Sequence, residues 1–87
     1  MKHELKTWPE SFHAITEGRQ LYSVRRFDRD FTVGDQVLLR EWDPRTGTYT
    51  GRAIHAMIKH ITPPGKFGMG DDFGVLGLNN FALWKVV

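Results

Sequence analysis

At 87 residues, with no cysteine and a formal net charge of only +2, the chain reads as one small domain spanning residues 1–87. Disulfide frameworks and thiolate metal sites are excluded. A composition of 40% hydrophobic, 13% aromatic and 25% charged residues reads as globular rather than disordered.

The opening residues, MKHELKTWPE, contain no apolar core of the kind a secretory leader needs. No run approaches the roughly 18–20 apolar residues of a membrane span. Together with the missing cysteines, this sets the expectation of a cytoplasmic protein without membrane contact.

In chain order, residues 2–6 place His3 and Leu5 on one face and Glu4 and Lys6 on the other, the alternation of a short strand. Thr7 and Glu10 have capping-box spacing, and Pro9 falls in the first helical turn, where its missing N–H is harmless. Trp8, Phe12 and Ile15 recur on one helical face, so a helix is expected from Trp8 to Glu17. Gly18 closes it as a left-handed C′ residue.

From Leu21 to Phe27 the period becomes two. Leu21, Ser23, Arg25 and Phe27 share one face; Tyr22, Val24 and Arg26 share the other. Val33-Gly34-Asp35 reads as a tight turn, and Gln36–Trp42 as a buried strand around Val37, Leu38 and Leu39. Asp43 to Gly47, DPRTG, has proline placed to start a type I turn and glycine to close it. Tyr49–Ile61 is a long β-branched run that pairs back as a hairpin, with a bend or bulge expected at Gly51. Thr62–Asp72 holds Pro63, Pro64, Gly65, Gly68 and Gly70 and is read as a loop, with at most a short strand near Phe67. Phe73–Leu78 and Phe81–Val87 are two further strands, split by Asn79-Asn80. The fold class is therefore mainly β (α+β), a small barrel of five to six strands with one N-terminal helix.

Charge is concentrated in Gly18–Arg29, GRQLYSVRRFDR. Arg19, Arg25, Arg26 and Arg29 face only Asp28 there, so four minus one leaves +3 in a chain of +2 overall. That asymmetry is more informative than a pI near 9.2.

HELKTWPESF, the Gly18–Arg25 segment, DRDFTVGDQVLLREWD and TGTYTGR together resemble a short bacterial and phage family of the ASCH superfamily. The resemblance implies a PUA-like fold, a small β-barrel with flanking helices, and a link to RNA binding and RNA-modification chemistry. The superfamily signature is G-x-K-x-x-E-x-R. Gly18 and Arg25 match it, whereas Gln20 stands at the lysine position and Ser23 at the glutamate position.

Some members resemble hydrolases of acetylated cytidine that carry threonine at the glutamate position, so Ser23 is the candidate nucleophile if the chain is an enzyme. A hydroxyl nucleophile needs a neighbouring base or a low-pKa amine, and Gln20 is neither. Ribonuclease chemistry, implied by other members, also needs acid–base groups beside the phosphate. The balance favours binding over catalysis.

Each constellation has a plain reading beside the functional one. Arginines fork onto phosphates and stack on bases; the plain alternative is a wet strand face with ion pairs to Asp28, Asp30 or Glu17. Trp8 and Lys6 flank the helix start, whose amides favour anions. Trp8 is either a stacking platform or the first core residue of its stripe. For Tyr22 and Phe27 the core reading is favoured.

His55 and His60 lie on opposite strand faces, and His3 and His13 have no partner at ligand spacing, so no metal site is expected. The Gly65–Gly70 stretch lacks the end of a phosphate loop. Glu17, Glu41 and Asp43 are candidate acids with no sequence-adjacent lysine or histidine partner.

The expected site is thus an RNA or nucleotide-like ligand cleft between the first helix, the Gly18–Arg29 segment and the Thr62–Asp72 loop. It is built from Lys6, Trp8, Arg19, Gln20, Ser23, Arg25, Arg26 and Arg29, with no cofactor. The alternatives are the Ser23 hydrolase and a protein-interaction accessory module.

Overall fold

The computed structural model describes residues 1–85; Val86 and Val87, the end of the last expected strand, lie outside the described residues. Strand β1 (Lys2–Thr7) leads into helix α1 (Pro9–Thr16), followed by β2 (Tyr22–Arg26), β3 (Gln36–Asp43), β4 (Thr48–Thr62) and β5 (Phe73–Lys85). The fold is mainly β with one helix, as expected. The five strands form a single sheet in the order β1-β3-β4-β5-β2, curled into a half-barrel. β1 runs parallel to β3, and the other neighbours are antiparallel. Because β1 and β2 are the two edges, the half-barrel stays open between them.

Period-two burial explains β1: His3, Leu5 and Thr7 are buried while Lys2, Glu4 and Lys6 are exposed. α1 seats Phe12 and Ile15 in the core. Leu5, Val37, Leu39, Ile54, Ala56, Ile58, Leu76 and Leu78 complete that core, and Phe27, Phe31, Ile61 and Phe81 pack against it.

The helix end is the expected one. Gly18 has φ +74, and the Gly18 and Arg19 amides donate to the Ile15 and Ala14 carbonyls at 3.1 and 2.9 Å. The capping box does not form. Trp8 is the N-cap and makes no side-chain cap bond, because Thr7 is drawn into β1 opposite Glu41 and its hydroxyl is used elsewhere.

Bulges supply the curl. Between Arg40 and Trp42 the β3–β4 register shifts, with Gly51 at φ +93 in the bulged stretch of β4. Asn79-Asn80 does not split the last strand as expected. β5 is continuous, and Asn80, at φ +55, sits at a register shift against β4. Asparagine tolerates this left-handed backbone better than most residues, so a turn signal is absorbed as a bulge.

Gly74, opposite Arg25 on β5, is required by close approach rather than by φ. A Cβ there would meet the Thr62 carbonyl oxygen at 2.6 Å and the Phe27 ring at 2.8 Å. Gly74→Ala is expected to destabilise by about 1–3 kcal/mol through overpacking, measured by denaturant unfolding.

At the far end of β1, His3 Nε2 and Asp35 Oδ2 lie 2.8 Å apart, while the Met1 ammonium and the Thr32 amide donate to the same carboxylate. The His3 hydrogen bond, then those from Met1 and Thr32, outweigh burial and hold the Asp35 carboxyl down to about 2. A carboxyl lowered on folding contributes stability that is complete above about pH 4 and is lost as pH falls toward 2. Acid titration of unfolding is therefore expected to show the wild type above Asp35→Asn at neutral pH, with the gap closing across that window.

Candidate functional site

The opening between the edge strands holds two adjoining cavities. The larger, about 420 Å³, takes Lys6, Thr7 and Trp8 from the β1–α1 junction. Gln20, Tyr22, Ser23 and Arg25 face them from β2 and its approach. The smaller, about 210 Å³, continues along the same edge toward Asp28 and Arg29. Lys6 and Arg25 line both.

Arg25 spans the gap that the backbone ladder leaves open. Its Nη1 donates to the Lys6 carbonyl at 2.6 Å, its Nη2 to Thr7 Oγ1 at 2.9 Å, and its Nε to Ser23 Oγ at 2.7 Å. All three acceptors are neutral. Among the described residues no carboxylate lies within ion-pair distance of this half-buried guanidinium. Its pKa is lowered, first by burial and then by the Arg29 charge, with Asp28 opposing. An arginine remains protonated regardless, so the shift marks a positive charge that its surroundings do not compensate.

The basic cluster divides on this point. Arg19 pairs with Glu17 at 2.6 Å, Arg26 with Asp72 at 3.4 Å and Arg29 with Asp28 at 3.1 Å, all on exposed surface. These three fit the plain reading of a wet face with local ion pairs. Arg19 lines neither cavity, because the turn at Gly18 directs it back along the helix end to Glu17. Arg26 and Arg29 reach the smaller one. Arg25 alone of the four combines partial burial with neutral partners.

Trp8 is not the first core residue of its stripe. It is 54% exposed at the helix start and lines the larger cavity, while Phe12 is fully buried. Tyr22 likewise departs from the core reading at 47% exposure, whereas Phe27 keeps it, packed against the core. Tyr22 and Ser23 lie on opposite faces of β2 yet border one cavity, since an edge strand presents both faces to the opening. Lys6 lines both cavities and rests its Nζ 4.2 Å from the ring centre of Trp42, a residue that lines neither.

One expectation about the walls changes. The Thr62–Asp72 loop contributes no residue to either cavity, and the third wall is the end of β1 instead. Phe67, at its tip, is 90% exposed. Thr7 and Ser11 line the site but were not singled out from sequence; continuing the His3, Leu5 alternation by one step points to Thr7.

Glu41 does find partners that sequence adjacency hides. It is buried and takes Arg52 Nε at 2.9 Å and Nη2 at 3.0 Å, Thr50 Oγ1 at 2.7 Å, and lies 3.5 Å from His13 Nε2. The bulge opposite Glu41 brings these groups together. Among the described residues no group of histidine and carboxylate side chains has the arrangement of a metal site, and no helix is long and apolar enough to cross a membrane.

Comparison with known proteins places this geometry in a family. A protein of Escherichia phage P2, described as an uncharacterized 12.9 kDa protein in the GpA 3′ region, is 35% identical over 60 residues, covering 69% of this chain and 53% of the phage protein. The chain thus spans about half the length of that curated relative. Residues 2–78, which include every residue lining both cavities, match the model of the domain of unknown function DUF3850, and the chain belongs to that family.

Proposed function

We propose that the chain binds RNA or a nucleotide-like ligand in the groove between β1 and β2, as an ASCH-type, PUA-like domain. The observation that carries the reading is Arg25, a half-buried cation whose hydrogen bonds go to neutral groups. Beside it stand an exposed Trp8 and Tyr22 and a cavity of about 420 Å³. Pockets for small ligands run from about 300 to 1,000 Å³, so a nucleoside fits the lower end of that range. Phosphate would sit at Arg25 and Lys6, and a base against Trp8 or Tyr22, with Gln20 and Ser11 as hydrogen-bonding groups.

Gln20 has one informative bond. Its Nε2 donates to the Tyr22 carbonyl at 2.8 Å. A carbonyl only accepts, so the amide orientation is determined and Oε1 is the atom left for a ligand donor.

Salt titration of binding to a short fluorescent oligouridylate tests the proposal. The expected log–log slope is about −0.7 for each neutralised phosphate. Absence of binding at low salt overturns the reading and favours a protein-interaction module.

Hydrolysis of acetylated cytidine is the competing chemistry. Ser23 Oγ accepts from Arg25 Nε, which supplies a donor rather than a base, an arrangement that favours Ser23 as a support for Arg25. No turnover of acetylated cytidine is expected; turnover abolished in Ser23→Ala would replace binding with catalysis.

A further inference from the structure

The two cavities are unequal in size, and the smaller gathers more arginines. The larger is lined by two cations, Lys6 and Arg25, and by no carboxylate among the described residues. The smaller shares those two and adds Arg26 and Arg29 against Glu4 and Asp28, so four cations minus two carboxylates leave the same +2, with Asp72 3.4 Å from Arg26 at its margin. At about 210 Å³ it falls below the roughly 300 Å³ at which small-molecule pockets begin. It is too small to be an independent ligand site, yet it gathers two arginines beyond the two cations it shares with its neighbour.

Arg26 and Arg29 hold exposed, solvent-screened ion pairs with Asp72 and Asp28 that a phosphate would have to share, and Glu4 is engaged outside the cavity. Glu4 Oε1 lies 3.5 Å from Arg40 Nη1. Arg29 meets Asp28 through Nε at 3.1 Å, which leaves its terminal nitrogens as a fork.

We propose that the groove recognises a nucleotide bearing two phosphate groups, the first at Arg25 and Lys6 and the second in the smaller cavity at Arg29 and Arg26. The inference rests on the nucleotide-binding reading and sharpens it. The larger cavity takes the nucleoside, the shared wall takes the phosphate attached to it, and the smaller cavity takes the next anion along. Two sources have this chemistry: a free nucleoside diphosphate and consecutive phosphates of a single strand.

Isothermal titration of the full chain with uridine 5′-monophosphate, uridine 5′-diphosphate and 5′-phosphorylated diuridylate separates the possibilities. A second phosphate is expected to tighten binding roughly tenfold or more over the monophosphate at low salt. Arg29→Gln, with folding checked by its thermal midpoint, is expected to collapse that ratio toward one. A gain confined to the diphosphate identifies a free nucleotide as the ligand; a gain with the dinucleotide identifies a strand. Equal affinity for all three overturns the two-phosphate inference and leaves the nucleotide reading standing. A ratio unchanged in Arg29→Gln also overturns it, because the second phosphate would then lie elsewhere. Absence of binding by all three overturns both.

Discussion

Replacing Arg25 with alanine is expected to weaken binding to single-stranded RNA by at least about tenfold at low salt, and to make the salt slope shallower by about 0.7 per lost phosphate contact. The expectation follows from how the guanidinium is held. Ser23 Oγ, Thr7 Oγ1 and the Lys6 carbonyl fix its plane without neutralising its charge. Three of its five N–H donors are used in these bonds, and the remaining N–H on each terminal nitrogen, in a plane already fixed, needs little reorganisation to meet two phosphate oxygens.

Arg25→Lys separates field from geometry. It retains the charge but not the fork, so its affinity is expected to fall between the wild type and Arg25→Ala. Wild-type affinity in Arg25→Lys would show that charge alone decides binding. The bonds lost across the opening are partly exposed and contribute roughly 1 kcal/mol each, against about 5–15 kcal/mol for a domain, so the variant is expected to remain folded for the measurement. Fluorescence anisotropy across a salt series, with circular dichroism as the folding control, reads both effects.

Phe12→Ala is expected to have the largest effect on stability, a loss of about 3–5 kcal/mol. Phe12 is fully buried and, with Ile15, forms the part of α1 that enters the core. An eight-residue helix is too short to persist without tertiary packing. Truncating its anchor therefore leaves a cavity and also loosens the element that carries Trp8 and Ser11. For a domain of this size each kcal/mol shifts Tm by about 4–8 °C, so a fall of at least about 12 °C is expected by calorimetry. A loss below about 1 kcal/mol would mean that α1 is held by its ends rather than by its apolar face. Because Trp8 belongs to the groove, RNA affinity is expected to fall together with stability in this variant, whereas Arg25→Ala should separate the two.

The local elements were largely legible in the amino-acid order. Phe12 and Ile15 at helical spacing, Gly18 after them, and the alternation of His3 and Leu5 each encode one short-range preference that packing then reinforces. Gly51 was legible as a bulge because glycine readily adopts the positive φ that a bulge there uses. Thr7 and Asn79-Asn80 misled for a common reason. A capping box and a turn are both local signals, and each was overridden by strand pairing with a distant partner, Thr7 by β3 and Asn79-Asn80 by β4.

The site divides along the same line. Sequence placed a positive field on Gly18–Arg29, because charge density is a property of composition along the chain, and the signature resemblance singled out Arg25 within it. Neither showed that Arg19, Arg26 and Arg29 would be neutralised while Arg25 is not, since pairing with Glu17, Asp72 and Asp28 depends on turns and loops that bring carboxylates into reach. Nor did it expose Trp8 and Tyr22, whose burial depends on the half-barrel remaining open between β1 and β2. Glu41 makes the point most directly: in sequence it is an isolated acid, and in the fold a bulge closes Thr50, Arg52 and His13 around it. Periodicity and charge act over a few residues and can be read in order along the chain. Which cation stays uncompensated, and which aromatic stays exposed, is decided by pairings of residues far apart in that order.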